Sequence, residues 1–292
     1  MKKLWLLGLL LCTNVAFAQT LQVATSFSIL EDLVKNVGGA RVSIANFVPR
    51  NGDAHGYQPS AQDVKALSQA KIVFTSGLGL EAWFSRLVKS AGNKATVIEL
   101  SKGLTANKFS EGEEKGEFDP HVWWNPINVI YYIKTIRDAL IKADPASKET
   151  YSSNAAKYSR QLADLDVWAK LEIGKIPSLN RKIVTNHDAL GYLAARYGFV
   201  VIGTVIPGGT TERAPSAKEI ANLIRLIKQQ KVKAIFTENI VNPKLAQAIA
   251  RETGATIAPA LYTDALGEIG SSGETYLKAF RHNIQTLLTA LR

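Results

Sequence analysis

Cysteine is nearly absent from this sequence, which contains one, Cys12, among 292 residues. Cys12 falls within a leading segment, residues 1–18, that has the features of a secretory signal. The mature chain is therefore predicted to contain no cysteine and no disulfide, so its hydrophobic cores must stabilise it unaided. Long apolar runs are also absent after this segment, and no later stretch approaches the length of a membrane helix.

The leading segment contains the three parts of a secretory signal peptide. Two lysines precede an apolar run over residues 4–11, and Ala16-Phe17-Ala18 supplies the small-x-small pattern at which such peptides are cleaved. The run is too short to span a bilayer. Leu11 stands directly before Cys12, where a lipid-attachment signal would have a small residue, which argues against a lipoprotein. The sequence therefore predicts export to the periplasm with a cleavable signal.

Positive charge is in excess, since 35 Lys and Arg residues oppose 25 Asp and Glu residues, for a formal charge of +10. Removing Lys2 and Lys3 with the signal leaves +8. Nucleic-acid binding would require basic patches interleaved with aromatic side chains. The basic residues are instead scattered over predicted helical faces, so we interpret the charge as solvated surface and predict no nucleic-acid partner.

Short β-like runs alternate with helical patterns, which is typical of mainly parallel sheets covered by helices on both faces. The predicted strands fall into two groups of four: 21–25, 42–48, 72–75 and 96–100, then 182–185, 199–205, 234–237 and 256–259. Two of the intervening helices are predicted to begin after Ser60 and Ser216, each with an acidic residue three positions later as a capping partner. A further helix is predicted over residues 81–90. The fold class is thus α/β, with two lobes.

One helical pattern, from about residue 146 to 174, is longer than the others and lies between the two groups of strands. Its apolar residues recur at spacings of three and four, as in Tyr151, Ala155 and Tyr158. This pattern predicts a single rigid helix that connects the lobes. The predicted organisation is an N-terminal lobe over 19–144, a connecting helix over 145–178 and a C-terminal lobe over 179–292.

Three of the four histidines lie in predicted loops near strand ends, where side chains are available to bind a ligand. In parallel sheets such loops line the binding crevice. His55 and His121 belong to the first lobe, and His187 and Asp264 to the second. Three imidazoles and a carboxylate form a set suited to Zn²⁺. Their wide spacing is weak evidence by itself, and capping or hydrogen-bonding roles are equally compatible with it. His282 lies in a predicted helix.

Five motifs in order make the chain similar to the cluster A-I solute-binding proteins of zinc and manganese ABC importers. They are Gly52-Asp-Ala-His-Gly-Tyr-Gln-Pro59, Ala70-Lys-Ile-Val-Phe-Thr-Ser-Gly77 with Leu78-Gly-Leu-Glu81, Asp119-Pro-His-Val-Trp123, Thr185-Asn-His-Asp-Ala189 and Tyr262-Thr-Asp-Ala-Leu266. The resemblance covers the whole mature chain. It implies two α/β lobes joined by one helix, metal ligands at His55, His121, His187 and Asp264, and an ABC permease as partner.

The identity of the metal rests on two features. Manganese-binding members of the family commonly have Glu at the position of His187, so an imidazole there favours Zn²⁺, with Mn²⁺ as the alternative. Many zinc-uptake members have a histidine-rich loop before the second ligand. Here that loop, residues 101–119, contains no histidine and four glutamates, Glu111, Glu113, Glu114 and Glu117. We interpret it as a mobile, solvated loop.

Glu238 and Asp188 are candidates to orient the ligands by hydrogen bonds, although surface or turn roles fit them equally well. We interpret the chain as a monomeric transport protein without enzymatic activity. A zinc hydrolase is the rival interpretation, but such enzymes keep an open metal position and a general base, and no His-Glu-x-x-His motif is present. An adhesin with the same fold is a third possibility.

Overall fold

The computed structural model describes residues 20–92, 95–109 and 114–292. The predicted signal segment, 1–18, and the acidic-loop residues Glu111 and Glu113 lie outside this part of the chain. The described residues form two four-stranded parallel sheets flanked by helices and joined by one long helix, which confirms the predicted fold class. None of the helices in these ranges is long and apolar enough to cross a membrane.

The first sheet has the strand order β2-β1-β3-β4, and every neighbouring pair is parallel. Its strands are β1 (Leu21–Phe27), β2 (Val42–Val48), β3 (Ile72–Thr75) and β4 (Thr96–Glu99). β3 is buried at all four positions, as its uninterrupted apolar sequence requires for a strand covered on both faces. The flanking helices are α1 (Ser28–Gly38), α2 (Ala61–Gln69), α3 (Phe84–Ala91) and α4 (Pro126–Ala143).

The connecting helix α5 (Lys148–Gly174) has 27 residues. It begins slightly later than predicted because Pro145–Ser147 forms a 3-10 turn ahead of it. The predicted apolar positions Tyr151, Ala155 and Tyr158 are all buried. The spacing of three and four residues therefore identified the side of α5 that packs on the rest of the molecule.

The second sheet repeats the design of the first, with the order β6-β5-β7-β8 and parallel pairing throughout. Its strands are β5 (Lys182–Thr185), β6 (Val200–Thr204), β7 (Ala234–Glu238) and β8 (Thr256–Leu261). Its helices are α6 (Gly191–Tyr197), α7 (Ala217–Gln230), α8 (Lys244–Thr253) and α9 (Tyr276–Leu291). The capping boxes predicted at Ser60 and Ser216 are both present, with Asp63 and Glu219 as partners.

Two hydrophobic cores occur in the described residues, and they do not coincide with the two lobes. The larger core contains the first sheet, α5, α9 and one face of the second sheet, including Ile183 and Phe236. The smaller core lies on the other face of the second sheet, where Val184 and Ile235 pack with residues of α7 and α8. Neighbouring strand residues thus enter different cores, as the two-residue repeat of a strand requires.

α3 differs from the prediction, because it begins at Phe84 rather than at residue 81. The buried carboxylate of Glu81 accepts hydrogen bonds from the Ser76 and Gly77 amides and from the Ser26 hydroxyl. These bonds hold residue 81 against the end of β3. The helical pattern of apolar residues gave no indication that residue 81 binds the end of β3 instead of starting the helix.

Asp32 of α1 connects three elements of the large core. Its carboxylate accepts a hydrogen bond from the Tyr276 amide at the start of α9, at 3.0 Å, and one from the Tyr158 hydroxyl of α5, at 3.3 Å. The side chain lies in the N-terminal lobe, and its partners lie in the connecting helix and the C-terminal lobe. A carboxylate at a helix N-terminus also interacts favourably with the helix dipole.

Replacing Asp32 by alanine is expected to lower the free energy of unfolding by about 3 kcal/mol, because two buried donors lose their acceptor. Lys35→Ala, at an exposed position of the same helix, is the control and should stay within about 0.5 kcal/mol of the wild type. Denaturant unfolding of the metal-free protein measures both values. Equal losses in the two variants would show that the bonds of Asp32 contribute nothing to stability.

Candidate metal centre

The four predicted site residues meet at the carboxyl ends of the parallel strands. His55 lies in the loop after β2, His121 after β4, His187 directly after β5, and Asp264 after β8. His55 is 8% exposed and the other three are fully buried. The two sheets point their carboxyl ends at the same cleft, which is where open α/β sheets bind ligands.

The donor atoms of the four side chains all lie within 4.8 Å of one another. His55 Nε2 is 3.1 Å and His187 Nε2 is 3.0 Å from Asp264 Oδ2, while His121 Nε2 is 3.3 Å from His55 Nε2 and 3.6 Å from Asp264 Oδ1. A tetrahedral ion with bonds of 2.0–2.1 Å separates its donors by about 3.3 Å. These four separations, from 3.0 to 3.6 Å, lie close to that value.

Two of these buried atoms have no hydrogen-bond partner among the described residues: His187 Nε2 and Asp264 Oδ1. His187 Nε2 is close to Asp264 Oδ2, but the contact lacks hydrogen-bond geometry. Burying polar atoms without partners is costly, so such atoms require an explanation. Capping and hydrogen-bonding roles do not explain them, whereas coordination of a cation would.

His121 is oriented by Asp119, two residues earlier in the chain. Asp119 Oδ1 accepts a hydrogen bond from the His121 amide at 2.9 Å and lies 2.8 Å from Nδ1 of the ring. With the proton on Nδ1, the lone pair of Nε2 faces the other donors. Asp119 begins the motif that contains His121, but nothing in the sequence assigned it this role; the same Asp-x-His spacing recurs at Asp53 and His55.

Glu238, at the end of β7, orients His187 in the same way. Its carboxylate accepts a hydrogen bond from the His187 amide at 2.9 Å, lies 2.5 Å from Nδ1, and accepts another bond from the Thr263 hydroxyl at 3.0 Å. Glu238 thus contacts both loops that carry donors of the C-terminal lobe. Asp188, the other predicted orienting residue, forms no hydrogen bond with a donor side chain in the described part of the chain.

The charges around the site shift the pKa values of its own groups. Burial alone would lower the pKa of His187, but Glu238 and Asp264 flank its ring and raise that pKa well above 6.5. Burial alone would raise the pKa of Asp264, but His187 and His121 hold it well below 3.8. Burial, followed by the neighbouring Asp119, raises the pKa of Asp188 to about 6.

The loop that carries Asp264 is fixed to the N-terminal lobe. The indole N–H groups of Trp123 and Trp124 both donate to the Thr263 carbonyl, at 3.0 and 3.1 Å. The Leu266 amide donates to the Ser28 hydroxyl at 2.9 Å. Asp264 follows a strand of the second sheet, but its loop is also held by the first lobe, which no local sequence signal revealed.

Glu117 of the acidic loop is exposed, as the sequence predicts, but Glu114 is half-buried against the opposite lobe. Glu114 Oε2 accepts a hydrogen bond from the Gly209 amide of the opposite lobe at 2.6 Å. Glu117 lines the same narrow cavity as His55. The described end of this loop therefore contacts the mouth of the cleft.

A family model described as zinc-uptake complex component A, periplasmic, matches residues 23–290. The chain belongs to this family. A manganese-binding lipoprotein MntA of Halalkalibacterium halodurans is 35% identical, over 93% of this chain and 88% of the relative. The manganese ABC transporter substrate-binding lipoprotein PsaA of Streptococcus pneumoniae is 31% identical, over 98% of this chain and 95% of the relative.

Solved structures of similar proteins agree with the family assignment. The periplasmic zinc-binding protein TroA from Treponema pallidum superposes with a TM-score of 0.87 at 29% identity, covering 94% of this chain and 99% of that one. A manganese-bound periplasmic metal-binding protein from Candidatus Liberibacter asiaticus gives a TM-score of 0.82 at 27% identity, covering 94% and 100%. The family fold thus extends over nearly the whole described chain.

Proposed function

We propose that this chain is the substrate-binding protein of a metal ABC transporter, which captures Zn²⁺ in the cleft and delivers it to a membrane permease. His55, His121, His187 and Asp264 are the proposed ligands. The observation that carries the proposal is the convergence of four buried donors after four strands, all within 4.8 Å of one another, which is a donor set that Zn²⁺ prefers. The names of the relatives, which are metal-binding components of transporters, support the same class.

Zn²⁺ is favoured because three of the four donors are imidazoles. Mn²⁺ is the second candidate, and two observations favour it. Several relatives are named for manganese. In addition, one oxygen of Asp264 lies near His55 and His187 and the other near His121, so the carboxylate can offer both oxygens to an ion that prefers more ligands.

The direct test is elemental analysis of protein purified without added metal, followed by competition titration of Zn²⁺ against Mn²⁺. We expect about one equivalent of transition metal and a preference for Zn²⁺. Protein that binds neither ion would overturn the proposal. A preference for Mn²⁺ would replace Zn²⁺ by the second candidate without changing the ligand set.

The geometry supports binding rather than catalysis. A catalytic zinc usually has three protein ligands and an open position for water. Here a fourth protein donor, Asp264, occupies that position, and all four donors are buried. The family relatives are named as transport components and not as enzymes. Zinc-dependent turnover of generic ester or phosphate substrates would contradict this interpretation.

We further propose that the protein acts in the periplasm as a monomer after removal of residues 1–18. Several relatives are named as lipoproteins. In this chain Leu11 before Cys12 does not fit a lipid-attachment signal, so we expect a mature protein without lipid. The mass of the protein isolated from an exporting host tests this directly.

The identity of residue 187 is expected to set the choice between the two metals. His187→Glu replaces one neutral nitrogen by a charged group with two oxygens, which suits Mn²⁺ better than Zn²⁺. The ratio of the two dissociation constants, measured by competition titration, should shift towards Mn²⁺, whereas His187→Ala should weaken both ions. An unchanged ratio with both affinities intact would place His187 outside the set of ligands.

A further inference from the structure

A short segment of the C-terminal lobe, residues 207–212, crosses the mouth of the cleft, and we name it the strap. It is attached to the loop that carries His187. The Asp188 amide donates to the Gly208 carbonyl at 2.9 Å, and the Ile206 amide donates to the Asn186 carbonyl at 2.6 Å. Any movement of the strap is therefore coupled to residues on both sides of His187.

The strap lies on the route from solvent to the donors. A cavity of about 150 Å³ is lined by His55 at its inner end, by the strap residues Gly209, Thr210 and Glu212, and by Phe118, which is 49% exposed. His55 is the one donor of the four that is not fully buried. A metal ion entering or leaving through this cavity passes between the strap and the N-terminal lobe.

Asp53 joins the strap to a metal ligand. Its Oδ1 accepts a hydrogen bond from the His55 amide at 2.9 Å, and its Oδ2 accepts one from the Thr211 hydroxyl of the strap at 2.5 Å. The two oxygens of one carboxylate therefore hold a ligand of the first lobe and the strap of the second. A further hydrogen bond between the lobes, from the Gly209 amide of the strap to the Glu114 carboxylate, adds to the Thr211–Asp53 bond.

We propose that Asp53 is a positioning residue that couples closure of the strap to His55, so that the Thr211–Asp53 bond slows release of the metal. The inference rests on the proposed function. A path outside the metal centre then links His55 to the His187 loop. It consists of the two hydrogen bonds of Asp53, the strap backbone from Thr211 to Gly208, and the hydrogen bond between Gly208 and Asp188. Breaking the Thr211 bond opens the cavity at its outer end and frees the carboxylate that fixes the His55 loop.

The test is the rate of Zn²⁺ release into excess chelator, measured by stopped flow on the full mature chain. Thr211→Val keeps the shape of the side chain and removes the hydroxyl donor. We expect release to become about ten-fold faster, since one hydrogen bond to a charged acceptor is lost. Thr211→Ser keeps the donor and should release Zn²⁺ at close to the wild-type rate.

Thr210→Val is the matched control, because Thr210 also belongs to the strap and lines the cavity, but within the described ranges its hydroxyl forms only a local bond, from the Glu212 amide. It should change the release rate much less than Thr211→Val does, because the Thr211–Asp53 bond stays in place. Equal acceleration in Thr210→Val and Thr211→Val, equal acceleration in Thr211→Ser, or a wild-type rate in Thr211→Val would each overturn the inference. Absence of Zn²⁺ binding by the wild type would instead refute the proposed function.

Discussion

Excess Zn²⁺ is expected to raise the free energy of unfolding by about 4 kcal/mol when its free concentration is roughly 1,000 times its dissociation constant. The physical reason is that the donors come from four loops, spread from His55 to Asp264, and the unfolded chain cannot assemble them. An ion that binds only the native state stabilises it by mass action. Thermal or denaturant unfolding with Zn²⁺ and with chelator measures the difference.

The variant Asp264→Asn tests whether the stabilisation by Zn²⁺ depends on coordination at this site or on nonspecific effects of the metal. The asparagine amide is close in shape to the aspartate but lacks its negative charge, so we expect the affinity for Zn²⁺ to fall by more than about a hundredfold. This loss exceeds the cost of removing a residue that only hydrogen-bonds to a ligand. Most of the stabilisation by Zn²⁺ should disappear with it. His282→Ala is the matched control, since His282 bonds to the Ala260 carbonyl outside the centre. If Zn²⁺ leaves the wild-type transition unchanged, the donors do not form a metal site.

Metal affinity is expected to keep rising with pH above 6.5, the ordinary pKa of histidine. In the metal-free protein burial would lower the pKa of His187, but Glu238 and Asp264 raise it well above that value, so the ring keeps its second proton to a higher pH than a free imidazole does. Coordination requires the neutral ring, and binding therefore displaces the proton. Titration calorimetry at pH 7 in buffers of different ionisation enthalpy should detect proton release.

The shifted pKa values of His187 and Asp264 make the stability of the metal-free fold depend on pH in opposite directions. A raised pKa stabilises the metal-free fold below pH 6.5, and this contribution is lost as the pH rises through the folded-state pKa of His187. The lowered pKa of Asp264 gives the opposite case, in which stability is lost only as the pH falls through that low pKa. The extra stability due to Zn²⁺ should thus grow from pH 5.5 towards alkaline pH. An affinity that is already constant above pH 6.5 would contradict the raised pKa of His187.

Local patterns in the sequence were sufficient for most of the fold. Strands β2, β3 and β5 begin and end where the apolar runs predicted, because turn residues or charges border each run. The start of α3 was wrong, since the bonds accepted by Glu81 depend on residues 26, 76 and 77 being brought together by the sheet. Helical periodicity contains no information on such contacts.

Less of the candidate site than of the fold could be predicted from the residues alone. The spacing of the three histidines left hydrogen-bonding roles open, and the family resemblance supplied the ligand set. Glu238 was identified only as one of two candidates, and Asp119 was missed. Their roles depend on which oxygen faces which ring nitrogen, and that geometry exists only after the chain has folded. The contact of Glu114 with the opposite lobe was hidden for the same reason.

The large core that includes the first sheet, α5, α9 and one face of the second sheet limits how far the cleft can open. Separating these surfaces by a wide swing would expose apolar area to water. Exposing about 400 Å² costs roughly 10 kcal/mol at about 25 cal/mol per Å². This exceeds the roughly 4 kcal/mol that an ion at 1,000 times its dissociation constant contributes. If the protein carries metal to a permease as proposed, we expect loading and unloading to proceed through displacements of loops that leave this apolar surface covered.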